Sequence, residues 1–391
     1  MSKPIKQDRR WHWLAWGLWL TPLLVISAMM LNDPSFRSMT PSYHETVVRW
    51  WAQQPIYTGP AGFNYLPVFA VLFTPIEALP LSLGEIVWRA LAMGGLALGL
   101  WRFSELLIAP GKSRAQSFAW VSLLSLPICI SAFRNGQSSA HLAVCLLWAA
   151  WYLYQRRLGW ATLWLCLALV CKPLAIPAIG LALVAYPRLW WRLSVGVFCV
   201  LALPYVLLSL AYVNTVYLAF AQNLIDCFDP GDRTFADLNG LLSVFRVRLE
   251  GLTSLAVRAV LGGVFALLCW WPWRASEDVR KSLFWLGLSG IYITLCTPMN
   301  EANSYVMFAP AFGLWAAWFW KNGAAAIIRT LALLFVSLVF LPDTTGLVLG
   351  KDFANEFAKF WNPFVSLVFM YLLIRNVWQA RAHAKATNIA W

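Results

Sequence analysis

The sequence predicts an all-α integral membrane protein that crosses the bilayer many times. Hydrophobic residue types make up 60% of the 391 residues and charged types only 12%, about half the charged share of an ordinary globular protein. Apolar runs of roughly 20 residues, the length that crosses the hydrocarbon layer, recur from one end of the chain to the other. Backbone amides find no water at that depth, and the runs lack the alternation of barrel strands, so helices are predicted. A large soluble domain is excluded.

The first predicted span is the apolar run 11–31. It follows a basic start that contains Lys3, Lys6, Arg9 and Arg10, as a secretory signal would. The run is long for a signal core, is rich in Trp, and ends in MMLND without a small-x-small cleavage site. We therefore expect a retained first transmembrane helix.

A long connection, 32–83, follows the first span. Its stretch HETVVRWWAQ places Val47, Val48, Trp50 and Trp51 among polar residues, which predicts an amphipathic helix lying in the membrane interface. The later stretch FNYLPVFAVLFTPIEALP is apolar, but it is short for a span and is interrupted by prolines. It is interpreted as a second interfacial or re-entrant helix.

The remaining apolar runs bring the number of predicted spans to about twelve, all within a single membrane domain, 1–391. A second long connection is predicted at 214–252. The short neighbouring runs 158–171 and 173–187 are also compatible with one bent hairpin. The further spans are predicted near 84–107, 116–133, 139–155, 158–171, 173–187, 193–213, 253–272, 282–298, 304–320, 323–341 and 361–378.

Charge divides between alternate connections. If the N-terminus is cytoplasmic, most acidic residues fall on the opposite side, in 32–83, 214–252 and the shorter outer loops. The positive-inside rule then predicts that both termini are cytoplasmic. The net charge of +13 is explained by this signal and by anionic lipid headgroups, and no basic, aromatic-interleaved stripe predicts nucleic-acid binding. The basic residues on the predicted cytoplasmic side are Lys112, Arg114, Arg156, Arg157, Arg188, Arg192, Arg274, Arg280, Lys281, Lys321, Arg329, Arg375, Arg381 and Lys385.

Several polar motifs are predicted to share the outer face. A charged group at the membrane edge is costly and is therefore a functional candidate. Structural roles are equally open for single members, since Arg134 could snorkel and Lys172 could cap a helix end.

Eight Cys lie mostly within spans, and four His without an HExxH motif do not predict a zinc site.

The string QPIYTGPAGFNYLPVFAVLFTPIEALP resembles the first-loop signature of glycosyltransferase family 87, the DUF2029 group of the GT-C superfamily. The resemblance extends over about residues 1–320. The matching residues of the string are Tyr57, Phe63, Tyr65, Pro67, Pro75, Leu79 and Pro80, and further matches are Gly136-Gln137, Lys172-Pro173 and Thr297-Pro298-Met299-Asn300. One departure concerns the Asp that such enzymes usually carry before the aromatic pair, because Ser38, Met39, Thr40 and Pro41 stand there.

The resemblance implies a GT-C-like fold and a transferase of the cell inner (plasma) membrane. Such an enzyme moves a hexose, with mannose favoured, from a polyprenyl-phosphate donor to a lipid or glycan acceptor on the extracytoplasmic face. No protein-bound cofactor is implied. A divalent metal at Asp226, Asp229 and Asp232 is possible but not favoured over a solvated loop, since a monophosphate leaving group does not require one.

The chemistry of this transfer requires three kinds of side chain. A carboxylate or His must take the proton of the acceptor hydroxyl, and cations must hold the leaving phosphate. Hydrogen-bonding side chains must also orient the sugar. The candidate bases are Asp33, His44, Glu45 and Glu301; the candidate phosphate ligands are Arg37, Arg134 and Lys172; the candidate sugar ligands are Asn64, Tyr65 and Gln137.

Other functional classes remain open at this point. A polytopic transporter or lipid flippase would carry ionisable residues near the bilayer midplane and two related halves. Neither is clear, although Arg89, Arg102 and Arg258 lie within predicted spans, the first two near span ends. A ligase of lipid-linked glycans would share the outward site, and the missing Asp is compatible with a divergent family member or a structural subunit without activity.

Overall fold

The computed structural model of the chain describes residues 3–59, 62–227, 235–270 and 279–386, and describes their side chains except those of 3–8, 342–346 and 380–386. Within these ranges the chain is helical and contains no β-strand. The helices are α1 (Lys3–Asn32), α2 (Thr40–Trp51), α3 (Val68–Glu77), α4 (Leu81–Ser104), α5 (Arg114–Arg134), α6 (Ser138–Tyr154), α7 (Leu158–Cys171), α8 (Ala175–Ala185), α9 (Trp190–Leu207), α10 (Leu210–Asp226), α11 (Leu238–Ser243), α12 (Gly251–Trp270), α13 (Val279–Cys296), α14 (Ala309–Lys321), α15 (Ala325–Leu349) and α16 (Lys351–Ala386), with 3₁₀ turns at Pro187–Leu189 and Ala302–Met307.

Six of the described helical segments are long and apolar enough to cross a membrane, namely Arg9–Asn32, Leu81–Ser104, Arg114–Arg134, Pro187–Leu207, Gly251–Trp270 and Lys351–Gln379. Helices α3, α7, α8 and part of α15 are apolar but shorter. The chain is thus an all-helical protein with several candidate spans, as expected for a polytopic membrane protein. The total of about twelve spans and the interfacial position of α2 and α3 stay predictions.

The prediction of a continuous span over 193–213 is wrong. Helix α9 ends at Leu207, three residues after Pro204, and a separate helix begins after Ser209. The Ser209 hydroxyl donates a hydrogen bond of 2.7 Å to the side-chain carbonyl of Gln53 in the first connection. Helix α10 thus starts beside the first connection. The predicted loop 214–252 contains most of α10 and all of α11.

Helix α2 is amphipathic, but its buried face differs from the predicted one. Tyr43, Val47 and Trp50 are buried, whereas Val48 and Trp51 are 58% and 44% exposed. Residues three or four apart lie on one side of a helix, so Tyr43, Val47 and Trp50 follow one stripe. This stripe packs against α3 and α10 and fixes the first connection to the rest of the protein.

The core is built around α13 and α14, whose side chains are almost all buried. They are enclosed by α5, α6, α8 and α16. By contrast, α9 and α12 direct large apolar side chains outward, and Phe198 and Leu267 are 70% and 61% exposed. Outward apolar faces of this kind are expected where lipid rather than water surrounds a helix.

Two glycines of α4 bring α6 into close contact. A Cβ atom on Gly95 would lie 2.7 Å from a methyl of Val144, and one on Gly99 would lie 2.5 Å from a methyl of Leu147. Small residues permit such approach between apolar helices. The Trp148 indole NH also donates to the Gly95 carbonyl at 2.9 Å. The tight contact holds the middle of α6 against the second half of α4.

Candidate functional site

A cavity of about 360 Å³ opens where several connections meet. Its walls come from segments that are far apart in the chain: the first connection, the start of α6, the turn between α7 and α8, the end of α10, and the segment after α13. Five predicted site residues lie together on these walls, namely Asn64, Tyr65, Gln137, Lys172 and Glu301.

Stacked aromatic rings form one wall of the cavity. The hydroxyls of Tyr43 and Tyr65 share a hydrogen bond of 2.8 Å, and the Tyr65 ring stacks on Phe69 with centroids 4.6 Å apart. Burial raises the pKa of both tyrosines, so both are neutral hydrogen-bonding groups near pH 7. The Tyr57 hydroxyl donates to the Tyr65 carbonyl at 2.7 Å. The Tyr-x-Pro segment is thereby held in one conformation.

Asn64 is oriented by helix α10. The side-chain amide of the buried Asn223 donates to the Asn64 side-chain carbonyl at 2.5 Å and to the Phe63 carbonyl at 3.3 Å. This bond uses the Asn64 oxygen and directs its side chain at the cavity wall. A side-chain amide on the wall is a group that can hydrogen-bond to a hydroxyl-rich ligand.

The start of α6 contributes an unsatisfied acceptor. Gln137 occupies the residue before the helix without capping it, and its side-chain oxygen is buried with no hydrogen-bond partner among the described residues. The next residue, Ser138, donates its backbone NH to the Tyr43 hydroxyl at 3.3 Å. A buried carbonyl without a partner is costly and marks a place where a ligand hydroxyl can donate.

Lys172 ends α7 and carries its ammonium group to the same wall. It donates to the Ser139 hydroxyl at 2.9 Å in the first turn of α6. Burial lowers the pKa of Lys172 to about 8, and the negative charge of Glu301 opposes that shift. The amine is consequently charged at neutral pH but poorly solvated, which favours an anionic ligand.

The segment after α13 places a carboxylate at the cavity. Met299 adopts a left-handed backbone conformation with φ of 59°, which residues other than Gly rarely adopt. Buried Asn300 maintains it by donating to the Ile293 carbonyl at 2.7 Å and to the Thr297 hydroxyl at 2.8 Å. Glu301 follows directly and is exposed on the cavity wall.

Asn303 also lines the cavity and is hydrogen-bonded to Glu301. Its side-chain NH donates to the Glu301 carboxylate at 3.0 Å, while its side-chain oxygen is buried and has no partner among the described residues. Together with Gln137, it gives the cavity two acceptors that protein groups leave unsatisfied. Of the described residues that line this cavity, Lys172 is the sole basic one and Glu301 the sole acidic one.

A buried ion pair supports this segment from behind. Arg258 lies 3.3 Å from the Asp237 carboxylate and donates to the Cys296 carbonyl at 2.7 Å. Burial raises the pKa of Asp237, although the charge of Arg258 opposes the shift. The Ala236 NH donates to the Asn300 carbonyl at 2.7 Å. The pair thus fastens the end of α13 to the residues that precede α11.

The other predicted site residues do not line the cavity. Asp33 lies just after the end of α1, and its side chain accepts from the Ser35 NH at 3.0 Å. Glu45 is exposed and pairs with Arg49 at 2.6 Å. Arg37 is exposed, and the Arg134 guanidinium donates to the neighbouring Asn135 side chain at 3.2 Å. These four side chains lie in the first connection or at the end of α5, outside the lining of the cavity.

His44 belongs to a buried polar network behind the aromatic wall. Its two ring nitrogens contact Glu77 and Glu85, and Glu85 forms an ion pair with Arg89 one turn along α4. Burial lowers the pKa of His44, but hydrogen bonds to the two carboxylates and their charges outweigh it, so the pKa is raised. Glu85 and Arg89 are each about 1% exposed. Arg89 is therefore enclosed in the protein as part of a buried ion pair.

This network holds two walls of the cavity in place. Arg89 donates to the Arg134 carbonyl at 3.0 Å and to the Ser38 hydroxyl at 2.9 Å. Gly136 follows with a φ of 61°, and a Cβ there would lie 2.9 Å from the Arg89 guanidinium. Sequence reasoning missed Glu85, although an acidic residue four before Arg89 in an apolar helix is a recognisable signal of a buried pair.

Metal ligation was not favoured from the sequence. Among the described residues, no group of three His, Cys, Asp or Glu side chains lies close enough to hold a metal ion. Asp226 accepts a hydrogen bond of 2.8 Å from Gln222 on the same helix. Its two predicted partners, Asp229 and Asp232, lie outside the described residues.

Comparison with known proteins gives one match. The family model of glycosyltransferase family 87 matches residues 63–298, more than half of the chain. The match begins in the Tyr-x-Pro segment and includes Gln137 and Lys172, and it ends three residues before Glu301. No curated protein and no solved structure matches the chain.

Proposed function

The chain belongs to glycosyltransferase family 87, and from this premise we propose that it transfers a hexose from a polyprenyl-phosphate donor to a lipid or glycan acceptor. Mannose is the favoured hexose, and the extracytoplasmic face of the cell inner membrane is the proposed location of the site. The observation that carries the proposal is the cavity with a single basic side chain, Lys172, and a single acidic one, Glu301, among its described walls.

The cavity suits the two ends of a lipid-linked sugar. Leu174, Ile176 and Leu224 form an apolar side, and Ile176 is 54% exposed at its edge. A polyprenyl chain can lie along this side without dehydrating polar groups. The phosphate then meets Lys172, and the sugar hydroxyls meet Asn64, Gln137 and Asn303. The two unsatisfied acceptors, on Gln137 and Asn303, gain donors from those hydroxyls.

In the proposed reaction, the acceptor oxygen attacks the anomeric carbon of the donor from the side opposite the phosphate. The bond between that carbon and the phosphate oxygen breaks, and its electron pair remains on the departing polyprenyl phosphate. Glu301 takes the proton of the acceptor hydroxyl, and the Lys172 ammonium stabilises the additional negative charge on the phosphate. The configuration at the anomeric carbon is inverted.

Glu301 is favoured over the other candidate bases because of its position. Asp33 and Glu45 bond locally, and the partly buried His44 contacts two carboxylates, whereas Glu301 lies on the cavity wall. Ser38 and Thr40, which stand where the family usually has an Asp, bond to the Glu85 carboxylate instead. The proposal is thus that the base in this chain comes from the segment after α13.

Replacement of Lys172 by Gln tests the donor class. We expect the KM for a polyprenyl-phosphate hexose to rise about ten- to a hundredfold, because a charge-assisted hydrogen bond to phosphate is lost. The measurement is release of polyprenyl phosphate by purified protein in liposomes, with mannose, glucose and galactose donors. Lys112→Gln, which changes an exposed lysine away from the cavity, is the matched control. Use of nucleotide sugars but no lipid-linked sugar by the wild type would refute the proposal.

The same lysine predicts a pH dependence. With a pKa of about 8 in the free protein, Lys172 is charged below that pH and loses its proton above it. The kcat/KM for the donor is therefore expected to fall about tenfold per pH unit above pH 8. In Lys172→Arg the guanidinium stays charged, so this fall should move beyond pH 10 in donor titrations. If kcat/KM for the donor still falls above pH 8 in the arginine variant, a group other than Lys172 causes the fall.

A further inference from the structure

A second cavity, of about 490 Å³, adjoins the first. The two cavities share Phe235 and Glu301, so that Glu301 stands in the wall between them. The opposite side of the second cavity is the start of α16. Its lining is mostly small or polar, in contrast to the apolar side of the first cavity.

Four residues of α16 define the polar side of this second cavity: Asp352, Asn355, Glu356 and Lys359. Their spacing places them on one face of the helix. Lys359 bonds to Glu356 at 2.5 Å, which satisfies its charge inside the cavity wall. Including Glu301, three carboxylates thus face one ammonium group that is already paired.

The start of α16 is held firmly in position. Gly240 of α11 lies directly against the backbone of Lys359, so closely that any side chain at position 240 would collide with it. Helix α11 is itself capped by Asp237, which accepts from the Asn239 NH at 2.9 Å. The polar face of α16 is consequently oriented by the same segment that supports Glu301.

We propose that the second cavity binds the acceptor through its carbohydrate hydroxyls. This inference rests on the proposed function and extends it by separating the two substrates according to charge. The donor carries a phosphate and is attracted to Lys172, whereas three carboxylates in the second cavity repel an anion. Neutral hydroxyls are good donors to Asp352 and Glu356 and can exchange hydrogen bonds with Asn355.

Because Glu301 lines both cavities, it can contact an acceptor in one and a donor in the other. An acceptor hydroxyl that reaches Glu301 from the second cavity meets the anomeric carbon of a donor that occupies the first. Two reactants held on opposite sides of one base gain from proximity without competing for the same cavity. The phosphate leaves on the Lys172 side, away from the acceptor.

Binding of labelled octyl glycosides of mannose, glucose and galactose to nanodisc-embedded protein tests this inference without requiring turnover. We expect Asp352→Asn, Asn355→Ala and Ala302→Phe to weaken saturable binding about tenfold or more, the first two by removing hydrogen bonds and the third by filling the cavity. Glu250→Gln changes an exposed carboxylate that pairs with Arg248 outside both cavities, and it should leave binding unchanged.

Donor kinetics separate the two proposals. If wild-type protein binds the glycosides but uses no polyprenyl-phosphate sugar, the proposed function fails and the acceptor cavity stands. If it uses the donor, the α16 variants should raise the acceptor KM while the donor KM stays within twofold. Equal glycoside binding by all variants, or no saturable binding of any of the three glycosides to wild type, would overturn the inference.

Discussion

Replacing Glu301 by Gln is expected to lower kcat by about 10²- to 10⁴-fold, the usual contribution of a general base. Gln has nearly the same shape and can still accept the hydrogen bond that Asn303 now donates to the carboxylate. It cannot take a proton from the acceptor. Because Lys172 still holds the phosphate, the donor KM should change less than threefold. The measurement is the initial rate of polyprenyl phosphate release at saturating donor and acceptor.

The matched control for this prediction is Glu250→Gln, which removes an exposed carboxylate in an ion pair with Arg248. Wild-type activity in Glu301→Gln would exclude Glu301 as the base. In that event, loss of activity in Asp33→Asn or Glu45→Gln would move the role to the first connection. Glu301→Asp retains a carboxylate but withdraws it from the wall, and it should recover part of the rate if proton transfer is the role.

Membership in the family does not by itself decide which carboxylate acts. The matched residues 63–298 exclude both Glu301 and the segment 38–41, where the sequence resemblance leads us to expect an Asp. In this chain the hydroxyls of Ser38 and Thr40 bond to Glu85, a carboxylate that comes from α4 and lies outside the cavity. Residues 38 and 40 thus present hydroxyls that are bonded to Glu85, so the variants of Glu301, Asp33 and Glu45 are the decisive comparison.

Much of the cavity could be predicted because its residues lie at the ends of apolar runs. Tyr65, Gln137, Lys172 and Glu301 each follow or precede a helix whose length and polarity the sequence makes plain. Once alternate connections are assigned to one side, such residues are brought to one face. The direction of each side chain is not encoded in this way. Asp33 bonds to its own turn and Glu45 turns toward Arg49, and neither contact follows from the span pattern.

The parts that sequence reasoning missed depend on tertiary contacts. The break between α9 and α10 is stabilised by Ser209 and by the Tyr212 hydroxyl, which donates to the Gln54 carbonyl at 2.8 Å. Hydropathy continues across this break, so the run 193–213 reads as one span. Glu85 was overlooked although Arg89 follows four residues later, because its contacts with His44, Ser38 and Thr40 form only when the first connection packs against α4.

The buried network around Glu85 explains how the first connection keeps its shape. Glu85 accepts hydrogen bonds from Ser38 and Thr40, while Arg89 bonds to Ser38 and to the backbone before Gly136. Neighbouring Trp88 donates its indole NH to the Gly136 carbonyl at 2.9 Å. One turn of α4 therefore fixes both the aromatic wall and the start of α6, although none of these α4 side chains lines the cavity.

Replacing Arg89 by Met is expected to destabilise the protein by about 3–5 kcal/mol, the usual cost of removing one partner of a buried ion pair. Met fills a similar volume, so the main loss is electrostatic: the Glu85 carboxyl group, about 1% exposed, retains only His44 and two hydroxyls as partners. The Arg134 carbonyl also loses its donor. The measurement is the free energy of unfolding in mixed micelles titrated with denaturing detergent.

The chain offers a matched control in Arg49→Met, which removes the arginine of another Glu-Arg pair spaced four residues apart, on α2. That pair is exposed, with Glu45 60% exposed, and exposed pairs contribute about 0.2–1 kcal/mol. The double variant Glu85→Gln with Arg89→Met removes both charges together and should regain most of the stability that Arg89→Met loses. Equal losses in Arg89→Met and Arg49→Met would contradict the prediction, because the Glu85–Arg89 pair is buried and further hydrogen-bonded whereas the Glu45–Arg49 pair is exposed.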